Sequence, residues 1–155
     1  MSYQPFDYDE APFLGELPNY KHGFLACDVS RYVPRDAKEI LIYAFITVKT
    51  SDRKMERAVY QIYTEDDRGK RYSQLMNTAF PRDDFVMNSA NLWLPVFGRK
   101  EFYIRIPDSW TTSSKEKEIK LSEGRRFANL DEAMRDYVLG REEIYNGVFL
   151  LGYRT

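Results

Sequence analysis

Ile40 to Val48 reads Ile-Leu-Ile-Tyr-Ala-Phe-Ile-Thr-Val, and this stretch constrains the fold more than any other. It is apolar at every alternation and rich in β-branched and aromatic residues. Pro34 and Asp36 precede it, and Ser51, Asp52 and Arg53 follow. A run this short between turn residues fits a central strand buried on both faces better than a helix. Such a strand needs a layer packed against each face. The remaining segments read mostly as further strands, so the expected fold is all-β: an antiparallel β-sandwich of jelly-roll type with one short helix near the C-terminus.

The strand pattern runs through the chain. Gly23 to Val29 places Leu25, Cys27 and Val29 on one face. In Arg57 to Thr64, Ala58, Tyr60 and Ile62 oppose Val59, Gln61 and Tyr63. Glu65-Asp66-Asp67-Arg68-Gly69 is a turn cluster, and Lys70 to Met76 returns from it as the second arm of a hairpin. Residues 77–90 mix Asn, Pro, Asp and Ser, and read as a long loop. Leu92 to Phe97 is a strand whose Pro95 points to an edge or a bulge, because proline cannot donate to a ladder. Glu101 to Ile106 alternates cleanly. Leu130 to Leu139 has the apolar spacing of a helix, with Gly140 to stop it. Val148 to Tyr153 is the last strand, and Asn146-Gly147 before it reads as a turn. About seven short strands separated by turn signals suit a sandwich or jelly roll. The expected organisation is an irregular N-terminal arm over residues 1–20, punctuated by Pro5, Pro12 and Pro18, and a single β-sandwich domain over residues 21–155.

Lys plus Arg is 23 and Asp plus Glu is 24, a net charge of −1. Nucleic acid and anionic membrane are therefore not expected partners, since both select a basic excess. No apolar run is long enough to span a bilayer. Cys27 is the sole cysteine and His22 the sole histidine. On a strand these two would stand about 16 Å apart on opposite faces, so they form no assembled nucleophile and base. The first residues are acidic and aromatic rather than a signal peptide, and no glycosylation sequon occurs. Taken literally the chain reads as cytoplasmic, and a mature secreted domain given a new start codon would read the same.

Three sets of residues carry the candidate chemistry. The first is acidic: Glu65, Asp66 and Asp67 in one turn, Asp83 and Asp84 in the next loop. Their oxygens could converge on Ca²⁺, which takes six to eight oxygen ligands, although Arg68, Lys70, Arg71 and Arg82 stand beside them and would neutralise them. No other cofactor is expected. The same carboxylates are the one route to an enzyme, a glycoside hydrolase needing two carboxyls about 5 to 10 Å apart. The second set is Trp93 and Trp110 with Asn91 and Asp108, the composition of a glycan platform in which a ring stacks on a sugar and amides or carboxylates hold its hydroxyls. The competing reading, that both tryptophans cap the core at loop junctions, is the favoured one, since tryptophan is usually well buried. The third is Tyr60, Tyr63, Tyr72 and Tyr103, on strands whose other faces already supply apolar residues. Aromatics make up 15% of the chain, more than one modest core readily absorbs.

Tyr63-Thr64-Glu65-Asp66-Asp67, the run Asn88-Ser89-Ala90-Asn91-Leu92-Trp93-Leu94-Pro95-Val96 and the closing Gly152-Tyr153-Arg154 resemble a small β-sandwich domain of invertebrate proteins to which no activity is assigned. The likeness covers about the central half of the chain. It implies the fold and no functional residue. The favoured function is a non-enzymatic binding or assembly module that self-associates as a homo-oligomer, or docks a protein partner, through an aromatic-rich sheet surface. A lectin-like carbohydrate-binding module is the alternative.

Overall fold

A computed structural model describes residues 2–18, 23–49, 56–80, 85–111, 126–140 and 145–155. Among the described residues, nine strands form two antiparallel sheets: β1 (Tyr3–Pro5), β2 (Phe13–Gly15), β3 (Phe24–Asp28), β4 (Glu39–Lys49), β5 (Glu56–Glu65), β6 (Arg71–Phe80), β7 (Phe85–Pro95), β8 (Glu101–Arg105) and β9 (Tyr145–Arg154). One sheet runs β1-β9-β4-β7, with β2 paired to β9 beyond β1, and the other runs β3-β8-β5-β6. With β1 and β2 sharing one strand position, this is the order of a jelly roll. Helix α1 (Leu130–Leu139) lies between β8 and β9 in sequence. Among the described residues no helix is long and apolar enough to cross a membrane.

β4 occupies the centre of its sheet, between β9 and β7. Ile40, Ile42, Ala44 and Ile46 point between the sheets and pack with Tyr60, Ile62, Phe102 and Ile104. Tyr43 and Phe45 point the other way, into a second cluster with Phe13, Phe127, Tyr145 and Phe149. Both faces are covered, as the strand's composition requires, but the second layer is not made of strands. The helix supplies it, through Leu130, Ala133, Met134 and Tyr137. Its N-cap Asn129 accepts from the Glu132 N–H, and Gly140 ends it at φ 64°, a left-handed conformation suited to glycine. The Tyr145 hydroxyl donates to the Asp136 carbonyl at 2.7 Å and ties helix to sheet.

Three expectations need correction. The N-terminal arm is not irregular: β1 and β2 both extend the five-stranded sheet along β9. It is fastened from below by Asn146, whose side-chain amide accepts from the Leu17 N–H at 2.9 Å and donates to the Leu17 carbonyl at 3.0 Å. The Tyr60 hydroxyl donates to the Pro18 carbonyl at 2.6 Å beside it. Asn146-Gly147 is accordingly no turn. Both residues lie buried inside β9, and a Cβ on Gly147 would meet the Phe149 ring at 2.8 Å. Nor are residues 77–90 a long loop. β6 continues to Phe80 and β7 begins at Phe85, while 81–84 lie outside the described residues. The polar residues there serve the sheet edges: the Asn88 amide accepts from the Ala79 N–H and donates to its carbonyl, standing in for a strand partner. β7 is an edge strand ending at Pro95, as the proline indicated.

Candidate functional site on the open sheet

Helix α1 covers part of the outer face of the five-stranded sheet. On the four-stranded sheet, among the described residues, only the short 3-10 turn Asp108–Trp110 packs against the outer face. The pairing register lays out that face in rows, because residues two apart on a strand share a side. Asp28, Glu101, Glu65 and Arg71 form the first row. Ala26, Tyr103, Tyr63 and Ser73 form the second, and Phe24, Arg105, Gln61 and Leu75 the third. Val59 and Asn77 follow, then Arg57 and Ala79.

The middle rows interlock. Tyr103 stacks on Phe24 with ring centroids 5.7 Å apart and tilts against Tyr63 at 5.4 Å. Arg71 lies over the Tyr63 ring at 4.8 Å, Arg105 at 6.0 Å. Tyr63 is thereby buried although it faces outward. Arg105 Nε donates to Gln61 Oε1 at 2.7 Å, and Gln61 Nε2 donates to Ser73 Oγ at 3.0 Å. The Tyr103 hydroxyl donates to Glu101 Oε2 at 2.7 Å, and that carboxylate holds the phenol above its ordinary pKa. Around this network Phe24 (58%), Leu75 (51%) and Trp110 (39%) stay exposed. Three large apolar groups on one unpartnered face are what an interaction surface leaves open.

Depressions flank the face at its two ends. At the acidic end a cleft of about 340 Å³ is lined by Glu65, Asp66, Asp67, Arg99, Glu101 and Tyr103. At the other end a groove of about 400 Å³ runs between Val59, Leu75 and Trp110, with Arg57, Asn77 and Ser109 at its rim.

Each residue singled out in the sequence now has a place. Tyr63 and Tyr103 come together on the open face. Tyr60 does not join them: it sits in the core, fully buried, and can do so because its hydroxyl has the Pro18 carbonyl as acceptor. Tyr72 points to the other side of β6 and closes the end of the sandwich against Phe97, with ring centroids 5.3 Å apart. Trp93 and Trp110 front different sheets, so they form no shared platform with Asn91 and Asp108. Trp93 lies beyond Leu92 and Leu94 on the five-stranded sheet, one ring face covered by the Arg154 guanidinium at 3.9 Å and the ring met edge-on by Tyr3 at 5.4 Å. Asn91 stands exposed on the same strand, opposite Tyr43. Asp108 opens the 3-10 turn that carries Trp110.

The acidic turn is built for its own hairpin. Asp66 Oδ1 accepts from the N–H groups of Arg68 and Lys70, each at 2.9 Å, and these bonds hold its carboxyl below the usual range. Glu65 pairs with Arg71 at 3.0 Å. Asp83, Asp84 and His22 lie outside the described residues. A different acidic group, unnoticed in the sequence because nothing marks its turn, is Asp7, Asp9 and Glu10, whose oxygens lie within 4.8 Å of one another. Three carboxylates carry six oxygens, the minimum Ca²⁺ takes, and exposed acidic groups of this kind commonly stand without an ion. Cys27 is buried among core residues and its thiol is pushed up to about 12 by desolvation, so it is not a ready nucleophile.

No protein-family model matches the chain, and no curated protein matches it.

Proposed function

We propose that this domain is a non-enzymatic protein-binding and assembly module, and that the outer face of the four-stranded sheet is its docking surface. The observation that carries the reading is the clustering of exposed Phe24, Leu75 and Trp110 around the Tyr103–Tyr63–arginine network. Aromatics and arginine supply most of the energy at protein interfaces, and rigid stacked rings lose little entropy on docking. The test is a Phe24→Ser/Leu75→Ser double variant, compared with the unaltered domain for complexes formed at equal concentration in its native extract. Loss of complexes with an unchanged melting temperature supports the reading. Identical complexes from both proteins would refute it.

A second reading, glycan binding, is favoured by one observation: Trp110 is exposed in a groove whose rim carries Arg57, Asn77 and Ser109. Here Trp110 alone serves as the stacking ring. Titration of a glycan panel against tryptophan fluorescence, with Trp110→Ala as control, separates it from protein docking.

A further inference from the structure

We infer that the partner of the open face is a second copy of the same face, packed with its strands antiparallel to the first. The inference rests on the binding-module reading and adds the identity of the partner. The face is electrically polar along its strands. Asp28, Glu101 and Glu65 share the first row, next to the Asp66–Asp67 turn, with Arg71 paired to Glu65 and Arg99 in the adjoining cleft, so that Asp28 and Glu101 carry the row's excess charge, whereas Arg105 stands in the third row and Arg57 in the fifth. Arg105 meets neutral groups, Gln61 Oε1 and the Tyr63 ring, and among the described residues no carboxylate lies within ion-pair distance of it. Glu101 is four residues away on the same strand, about 14 Å, too far to pair within the chain.

A two-fold axis lying in the interface across the strands, through the Tyr103–Tyr63 row, removes this imbalance. It places the first row of each copy over the third row of the other. Arg105 of each copy then faces Glu101 of its mate, giving two equivalent ion pairs from one operation, as an isologous contact requires. Tyr103 and Tyr63 meet their own counterparts at the centre, while Phe24 and Leu75 of each copy lie over the Asp28 and Arg71 positions of the other. An axis parallel to the strands would bring Asp28 to Arg71 but set Glu101 against Glu65 and leave Arg105 over Gln61, still without a carboxylate, and is disfavoured. Packed sheets keep their strands within about 30°, so the correspondence holds across the middle rows. The rows that overlap are four strands wide and five residues long, roughly 330 Å² per copy. That total lies below the size of a stable specific interface, and the association is expected to be weak and concentration-dependent.

The experiment is sedimentation velocity on the full chain from about 1 to about 200 μM. Arg105→Glu, Glu101→Arg and an equimolar mixture of the two are run alongside. The unaltered chain should dimerise, and each single reversal should weaken dimerisation by about tenfold or more. The mixture should recover it, because both cross-pairs are again of opposite sign. A monomer at every concentration overturns the inference, as does a dimer indifferent to both reversals. Should a reversal fail to fold, Phe24→Ser, an exposed change on the same face, decides: an unaltered dimer overturns the inference and a lost one supports it. A chain that stays monomeric but loses other complexes on Phe24→Ser/Leu75→Ser would sink the self-pairing and leave the binding-module reading standing.

Discussion

Asn146→Ala tests how the N-terminal arm is held. The Asn146 side chain is fully buried and is bonded to both the N–H and the carbonyl of Leu17, itself buried. Alanine leaves two backbone groups without partners in a site closed to water. Each such group costs about 1–3 kcal/mol, so the expected loss is roughly 2–5 kcal/mol. At about 2–4 °C per kcal/mol for a domain of this size, the melting temperature should fall by roughly 4–20 °C. Urea titration gives the free energy, and amide exchange on residues 13–17 shows whether the loss is local. The arm's amides should exchange faster than those of β5 and β8. A loss below about 1 kcal/mol, with arm protection unchanged, would refute the argument that these two bonds pin the arm.

Tyr60→Phe removes the hydroxyl bonded to Pro18 and should cost about 1–3 kcal/mol by urea titration, with the rest of the core unmoved. Native Cys27 should resist thiol reagents at neutral pH and react at the rate of unfolding. Its folded pKa of about 12 lies above the ordinary 9.0, so its contribution is complete below pH 9 and is lost as pH rises toward 12. Cys27→Ala should flatten that alkaline decline in a pH series of melts. For Asp66 the sign is opposite: its folded pKa is lowered, so its contribution is present above the ordinary 3.8 and lost as pH falls through the folded value. An NMR titration should place Asp66 below 3.8, and Asp66→Ala should remove that acid dependence.

The strands that alternate cleanly were legible. Arg57 to Thr64 forms the expected strand, but Tyr60, grouped with the surface tyrosines, lies in the core, and the outward Gln61 and Tyr63 are buried too. Glu101 to Ile106 buries the residues its period-two pattern selects, and Leu130 to Leu139 forms the helix its spacing predicts. Edge and arm strands were not, because their local chemistry argues against them. Asn88 and Ser89 read as loop, yet on an edge a polar side chain can replace a missing partner. The prolines of residues 1–18 mask strands three residues long. Asn146-Gly147 carries a turn signature that tertiary contacts override, the amide claimed by Leu17 and the glycine by the aromatic rings around it. The open face was half visible. Parity gave Tyr63 and Tyr103, but the rows that align Glu101 with Asp28 and Arg105 with Phe24 depend on register, which no single strand encodes.

The placement of β9 also governs how the chain comes to be folded. β4, apolar on both sides, has β9 as a neighbour, with Ile46 beside Asn146 and Glu39 beside Arg154. On a ribosome adding about 5–20 residues per second, β4 emerges roughly 5–20 seconds before that partner exists. β1 and β2 wait longer still, since among the described residues both pair only with β9. During that interval a strand with two sticky faces and an aromatic N-terminal segment stand uncovered, the condition under which chains pair with one another instead of with themselves. Synthesis of this jelly roll is therefore expected to lean on chaperones that shield β4 until the last strand arrives.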